Sequence, residues 1–420
     1  MALASRGADK VKLKNPNVSE GSTSRKMLRN VSFAAQVSKL IKYLGSVVFR
    51  GFLHVRYAAT PTIDNQILLE SYLGTRLDGN PKAVFDFLQS KYPGKYQFIW
   101  VAENPDEWSY LLECPNTQIV RYRSSDHRKA ACISKFLIAD SPRPNDLPTR
   151  RQQVAIQTWH GGGCYKKVGV GVNGVHPVNN FITRRQFRKY TYFVSSSKYF
   201  SDEVIRNQYL YRGKILPIGM PRNDELINGN KAKRAEVRAE LGLQDDDFFV
   251  LYVPTWRDFG SPIPLFDADK VKAGFQEKYG RHVVLGKRGH YFSLSDQYPG
   301  FDINLDSYRC MQDLLLACDA VISDYSSVIW DFSFTYRPCF LFVPDLYQYQ
   351  AERGLDVDIF EWGFPVCRTE KELLDSIVRF DAQEFTHNME QHHANLGSYE
   401  SGAACERVAE LLVANGGDHS

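Results

Sequence analysis

Eleven short apolar runs, separated by stretches with helical spacing, constrain this chain more than any other feature. Five come first: QILLES (66–71), YQFIWVAE (96–103), TQIVRYR (117–123), KFLIADS (135–141) and VAIQTW (154–159). Six follow: YTYFVSS (190–196), KILPIGM (214–220), FFVLYVP (248–254), HVVLGKR (282–288), DAVISD (319–324) and PCFLFVP (338–344). Between them lie segments such as NPKAVFDFLQSKY and KRAEVRAELGL. Runs this apolar read as strands buried on both faces, and intervening helices return the chain so that each strand lies parallel to a neighbour. The predicted class is α/β, with two doubly wound, Rossmann-like halves whose crossover falls near residues 180–190. Ligands of such sheets meet the carboxyl ends of the strands, which here places them in a cleft between the halves. A length of 420 residues, too great for one ordinary core, agrees with two halves.

Charge is distributed unevenly. The net charge is +4, but residues 1–60 hold eleven Lys and Arg against Asp9 and Glu20, a local +9, and the other 360 residues carry −5. A basic arm on a mildly acidic body predicts an anionic partner for the arm. Within it, VSFAAQVSKLIKYLGSVVFRGFL sets Phe33, Val37, Leu40, Ile41, Leu44, Val47 and Val48 at three- and four-residue spacing, with Lys39, Lys42 and Arg50 off that stripe. It carries too many lysines for a transmembrane span and no convincing signal-peptide cleavage site. The bland reading is a helix packed on the body, and the favoured one is an amphipathic helix on an anionic membrane face. A nucleic-acid partner is disfavoured, because the body is net acidic and the arm lacks interleaved aromatics. The eight cysteines form no CxxC pair and fit buried free thiols in a reducing, cytosolic compartment.

The polar residues cluster where strands end. Residues 154–159 run into His160, Gly161, Gly162 and Gly163; 214–220 into PRND with Arg222; and 248–254 into TWRD with Thr255 and Arg257. Residues 282–288 run into GHY with His290, and 319–324 into DYSS with Ser326 and Ser327.

The stretch IQTWHGGGCYKKVG (156–169) admits a phosphate cradle, an oxyanion hole, a metal site or a tight turn. Glycine backbone can approach an anion closely, and Lys166 and Lys167 add positive charge. No GK[ST] follows, so it is not a Walker loop, and no GxSxG elbow occurs, so the hydrolase reading fails. His160 and His290, each at a strand end, are candidates to face each other across the cleft as proton acceptor or phosphate ligand. Arg222 and Arg257 suit phosphate through their guanidinium forks, the structural alternative being ion pairs with adjacent Asp224 and Asp258. Ser326 and Ser327 fall near a helix start, where hydroxyls and backbone N–H groups either cap the helix or bind phosphate. Asp331, a turn further on, is a candidate for ribose hydroxyls. The acidic run 245–247 precedes a strand and reads as a solvated turn rather than a metal site.

Taken in order, WHGGG…KK, GMPRND, YVPTWRD, RGHY, ISDYSSVIWDFS and YQAERGL (349–355) resemble the CDP-glycerol glycerophosphotransferases of wall teichoic acid and capsule synthesis. ILLESYLGTRLDGNPKAVFDFL (67–88) is similar to their opening strand and helix, and the resemblance covers roughly residues 65–385. It implies a GT-B-like fold with no metal or other cofactor, moving an alditol phosphate from a CDP-alditol to an acceptor hydroxyl with release of CMP. The family's two functional histidines map onto His160 and His290. Arg222, Thr255, Arg257, Ser326, Ser327 and Asp331 become the expected donor site, and Gly161, Gly162, Gly163 and Lys166 an anion shelf. Family members often read HGTPLK where this chain has HGGGCYK.

The expected division is a basic arm and membrane-associating helix (1–58), an acceptor half (59–188), a CDP-donor half (189–385) and a C-terminal helix packing back on the first half (386–420). The expected partners are the CDP-alditol, a lipid-linked or polyol-phosphate acceptor and the cytoplasmic membrane surface, with glycerol as the donor's alditol and ribitol as the alternative. Nucleotide-sugar glycosyl transfer on the same fold is the nearest rival.

Overall fold

The computed structural model describes residues 33–163, 165–173, 177–255, 257, 263–289 and 299–416; His290, Trp256 and Asp258 lie outside them. All eleven expected strands are present. The first sheet contains β1 (Ile63–Glu70), β2 (Gln97–Ala102), β3 (Thr117–Arg121), β4 (Ser134–Ala139), β5 (Val154–Gln157), β6 (Tyr192–Ser195) and β7 (Lys214–Pro217), in the order β3-β2-β1-β4-β5-β6-β7. The second contains β8 (Phe248–Val253), β9 (Val283–Lys287), β10 (Ile303–Asn304), β11 (Ala320–Ser323), β12 (Cys339–Phe342) and β13 (Val366–Cys367), in the order β10-β9-β8-β11-β12-β13. Every pairing between these strands is parallel. Such strands are covered on both faces, and β8 (FFVLYV) is accordingly buried along its whole length. Each sheet has its own apolar core.

The change of sheet does not fall at residues 180–190. Tyr192 of β6 pairs with Ile156 of β5, and Lys214 of β7 pairs with Tyr192, so β6 and β7 extend the first sheet. The chain changes sheet between Pro217 and Phe248. The helical segments Pro177–Phe187 and Phe200–Gln208 act as ordinary crossovers that return the chain to the edge it left. At the C-terminus two helices replace the single one expected. Ala382–Leu396 sends Phe385 and Met389 into the core of the second sheet, and Ala404–Asn415 sends Val408, Ala409 and Leu412 into the core of the first.

Helix Phe33–Arg56 lies on the first sheet's side of the molecule, where Tyr43 and Leu53 are buried against the body. Lys39 Nζ donates to Asn179 Oδ1 at 2.6 Å, and Arg50 Nη1 donates to the Asn145 carbonyl at 3.2 Å. Val37, Ile41, Leu44 and Val48 face outward and are exposed. Among the described residues no helix is long and apolar enough to cross a membrane. The seven described cysteines are free thiols.

Candidate active site

The site gathers at the carboxyl ends of β1, β4, β5 and β7 from the first sheet and β8, β9 and β11 from the second. Beyond β5, Thr158 N donates to the Ala139 carbonyl at 2.8 Å, prolonging the ladder by one residue. Trp159 then takes a left-handed conformation (φ 54°), a strained choice for a bulky residue. Asn80 Nδ2 holds that turn by donating to the Trp159 carbonyl at 2.7 Å. The turn presents His160, half-buried, stacked on the Trp159 ring at 4.3 Å between centroids and 5.6 Å from the ring of Tyr72.

His160 Nδ1 lies 2.9 Å from the Asp140 carbonyl oxygen. A carbonyl only accepts, so Nδ1 carries the proton and Nε2 is the ring's proton acceptor. Burial is the largest influence on the ring, and Arg222 and Lys166 add positive charge nearby; together they hold its pKa down at about 4. The imidazole is therefore neutral at pH 7, in the tautomer a general base requires.

Asp140 itself is buried, and its carboxyl forms a second network. Oδ1 accepts from Tyr72 N and from Ser141 Oγ, both at 2.8 Å. Oδ2 lies 2.8 Å from Ser71 Oγ, whose hydroxyl also lies 2.6 Å from the Asp78 carbonyl. Ser71 has one proton for these two acceptors, and protonation of Asp140 Oδ2 would let both contacts be satisfied. Burial, the dominant influence, raises this carboxyl to about 7 against the bonds from Tyr72, Ser71 and Ser141, which lower it.

The three glycines have a different use from the anion shelf expected of them. A Cβ on Gly161 would stand 3.0 Å from Ser327 Oγ; on Gly162, 2.5 Å from Trp330 Cδ1; and on Gly163, 2.8 Å from Trp330 Cβ. Ser327 and Trp330 belong to the turn and helix after β11, so glycine is needed for the first sheet's loop to seat against the second sheet's helix. Ser196 Oγ fixes that seat by donating to the Gly162 carbonyl at 2.7 Å. Lys166 forms an antiparallel bridge with Leu355, which docks the same loop on the YQAERGL segment.

Arg222 is buried and joins the two halves. Its Nη1 donates to the His160 carbonyl at 2.9 Å and its Nη2 pairs with Asp331 at 2.6 Å, so its acidic partner is Asp331 and not Asp224. Asp331 Oδ2 thereby orients Arg222, while its Oδ1 has no hydrogen-bond partner among the described residues. Asp224 instead accepts from Ala404 N and Cys405 N, which caps the C-terminal helix.

Arg257 is held between two carboxylates. It pairs with Asp324 at 2.8 Å and Asp345 at 2.6 Å, and lies over the mutually stacked rings of Tyr325 and Tyr349 at 5.1 and 5.2 Å. Thr255 Oγ1 donates to Asp324 Oδ1 at 2.6 Å, so Thr255 and Arg257 together brace the turn after β11. Ser326 and Ser327 stand on that turn and are half-exposed. Ser326 Oγ accepts from Val328 N at 3.3 Å, whereas the Ser327 side chain caps no backbone N–H of the helix it precedes.

Sequence reasoning passed over four contributors: Asp140, Asn80, Glu400 and Arg288. Half-buried Glu400 accepts from Met220 N at 2.9 Å, Asn223 Nδ2 at 3.1 Å and Trp330 Nε1 at 3.0 Å, tying the segment after β7 to the helix after β11. Arg288, at the end of β9, is buried, and among the described residues neither its Nη1 nor Nε of Arg222 has a hydrogen-bond partner. Both guanidinium groups act electrostatically on Asp78 and Tyr72, which locates them around one point of the cleft. Arg288 is the first residue of the RGHY motif, two positions before His290. His290 lies outside the described residues.

This constellation can be set beside known proteins. A family model described as CDP-glycerol:poly(glycerophosphate) glycerophosphotransferase matches residues 53–414. The chain belongs to that family, whose members are transferases. It is 26% identical over 404 residues to the teichoic acid poly(glycerol phosphate) polymerase of Staphylococcus epidermidis, covering 90% of this chain and 55% of that protein. It is also 26% identical over 399 residues to the polymerase of the same name from Bacillus spizizenii, covering 89% of this chain and 97% of that protein. The chain thus spans about half of one such relative and nearly all of another. Among solved structures, the wall teichoic acid polymerase TagF, as a histidine-to-asparagine variant soaked with CDPG, superposes with a TM-score of 0.74 at 25% identity. That match covers 91% of this chain and 98% of the other. The mixed α/β architecture with parallel sheets is shared with TagF.

Proposed function

We propose that this glycerophosphotransferase moves glycerol phosphate from CDP-glycerol to a hydroxyl of a polyol-phosphate acceptor of the teichoic-acid type. The observation that carries the reading is the tautomer of His160, with Nδ1–H held by the Asp140 carbonyl and Nε2 available to accept a proton. The acceptor hydroxyl oxygen attacks the phosphorus that bears glycerol, and its proton passes to His160 Nε2. The phosphoanhydride bond to the α-phosphate breaks, and CMP leaves with that electron pair. Phosphoryl transfer depends chiefly on positioning and on neutralising phosphate charge. Arg222 and Arg288, each with an unsatisfied buried N–H, are the groups suited to this. Ser326 and Ser327 supply hydroxyls for the CDP moiety, and His290 remains the second functional histidine on the strength of the family motif.

In this reading the two sheets are the two halves of a GT-B-like enzyme, the first serving the acceptor and the second the CDP donor. Helix Phe33–Arg56 and the basic arm before it hold the protein on the cytoplasmic face of the membrane, beside a lipid-linked acceptor. The activities of the relatives and the CDPG soak of TagF support the donor class. Incubation with CDP-glycerol, CDP-ribitol and UDP-sugars, scored by CMP or UDP release and by product mass, tests it. The expected result is CMP release with one or more glycerol phosphate increments on the acceptor; release of UDP with a sugar increment overturns the proposal.

A further inference from the structure

The four exposed residues already noted on helix Phe33–Arg56 are part of a longer outward-facing apolar stripe. Val37, Ile41, Leu44, Val48, Phe52 and Val55 follow one another at three- and four-residue spacing and are all exposed, Val48 at 74% and Val55 at 76%. The opposite side of the helix is fixed to the body through Tyr43, Leu53 and the bonds of Lys39 and Arg50. The stripe is therefore held outward by its own anchorage.

Beside this stripe is a cavity of about 590 Å³ between the helix, the segment around Pro148 and the end of helix Pro177–Phe187. Arg50, His54, Arg185, Arg188 and Lys189 line it, and among the described residues no carboxylate does. Val55 belongs to both the stripe and the cavity wall. Lys189 Nζ is held by the Pro144 carbonyl at 2.8 Å. The charged groups acting on it are Arg143 and Arg50, against Asp146 and Glu70; Glu70 is already paired with both Arg143 and His127. Burial, first, and then the two arginines push the ammonium down to about 7, the behaviour of cationic groups crowded without a counter-anion.

We infer that this cavity is a binding site for the phosphate headgroup of an anionic phospholipid, whose acyl chains lie along the stripe. The inference rests on the membrane-associated reading above and adds a specific site to it. Charge selects the occupant. A second copy of this chain would bring its own basic patch against this one, whereas a lipid phosphodiester supplies the missing anion. Arg6, Lys10, Lys12, Lys14, Arg25, Lys26 and Arg29, against Asp9 and Glu20, precede the helix in the chain and add attraction for the same leaflet. The location also matters for the reaction. Helix Pro177–Phe187 carries Arg185 near the cavity, while its Phe187 ring lies 6.3 Å from Trp159, on which His160 stacks. A headgroup seated here would orient the molecule with the His160 region near the lipid surface.

The test is sedimentation of the full chain with phosphatidylcholine vesicles and with vesicles that also contain phosphatidylglycerol. The expected wild-type result is tighter binding to the anionic vesicles. In R185Q/R188Q that preference falls by roughly fivefold per arginine, about 25-fold for the pair, while residual binding to phosphatidylcholine and transfer to a soluble acceptor are unchanged. V48D/V55D should lose binding to both vesicle types, and its failure to do so contradicts the membrane reading itself. If V48D/V55D loses binding but R185Q/R188Q keeps the full anionic preference, the membrane reading stands and the headgroup site is wrong. Soluble glycerol phosphate competing as well as vesicles for the cavity, or a concentration-dependent dimer in light scattering that V48D/V55D abolishes, also overturns the site.

Discussion

The backbone carbonyl of Asp140 accepts the Nδ1 proton of His160 at 2.9 Å, so a main-chain atom at the end of β4 fixes the tautomer of a side chain at the end of β5. Because these strands are adjacent and parallel, the relation is set by sheet register and not by a flexible side chain.

A pH dependence follows. Burial, with Arg222 and Lys166, keeps His160 neutral down to about pH 4, and the base is active only when neutral. The acid limb of kcat/KM in the free enzyme should therefore fall well below the ordinary imidazole value near 6.5. A pH–rate profile, with circular dichroism at each pH to verify folding, measures it; an acid midpoint at 6 to 7 for this limb would contradict the assignment.

The Asp140 carboxyl makes the opposite kind of prediction. Its folded pKa, about 7, is raised above the ordinary 3.8, so the folded state binds this proton more tightly than the unfolded chain. Its contribution is fully present below about pH 4 and is lost as pH rises through about 7. Asn at this position reproduces the protonated acid, with Nδ2 donating to Ser71 Oγ and Oδ1 accepting from Tyr72 N. D140N should then flatten urea-derived stability between about pH 4 and 7, while D140A should cost a few kcal/mol throughout by orphaning Ser71 and Tyr72.

The Arg222–Asp331 pair, buried on both sides at 2.6 Å, should be costly to break from either end. We expect D331A to lose about 3–5 kcal/mol, because the remaining guanidinium keeps its burial without its counter-charge. R222K keeps the charge but not the fork that reaches both Asp331 and the His160 carbonyl, so its transfer rate should fall more than its stability. Urea melts and steady-state rates on the same preparations separate the two effects.

Gly162 should tolerate no side chain. Alanine there places Cβ 2.5 Å from the Trp330 ring, which is itself buried, and the strain should cost about 1–3 kcal/mol. G161A meets Ser327 Oγ at 3.0 Å and should be milder, with partial recovery in G161A/S327A. Thermal melts of the three variants give the order.

The strands were legible in the sequence because buried parallel strands are continuous apolar runs, and the two missed strands, Ile303–Asn304 and Val366–Cys367, are too short to leave such a run. Sheet membership was not legible. Nothing in YTYFVSS states that Tyr192 pairs with Ile156, since pairing is decided by where a crossover helix packs. The residue types at the strand ends pointed to the cleft, but their partners did not follow from adjacency. Arg257 pairs with acids 67 and 88 positions away. The glycines were visible and their use was not, because their crowding partners, Ser327 and Trp330, arrive from the other sheet. Asp140 was hidden at the end of an apolar run, where its carbonyl, the part that matters to His160, carries no side-chain signature.

The most direct test of the central claim is single-turnover transfer from CDP-glycerol by H160Q, with donor affinity measured in parallel by calorimetry. The account predicts a rate lower by about 10²–10⁴ with donor affinity within a few-fold of the parent, since a lost general base slows transfer without emptying the donor site. A rate close to the parent's, or a collapse of donor affinity that accounts for the whole loss, would contradict it.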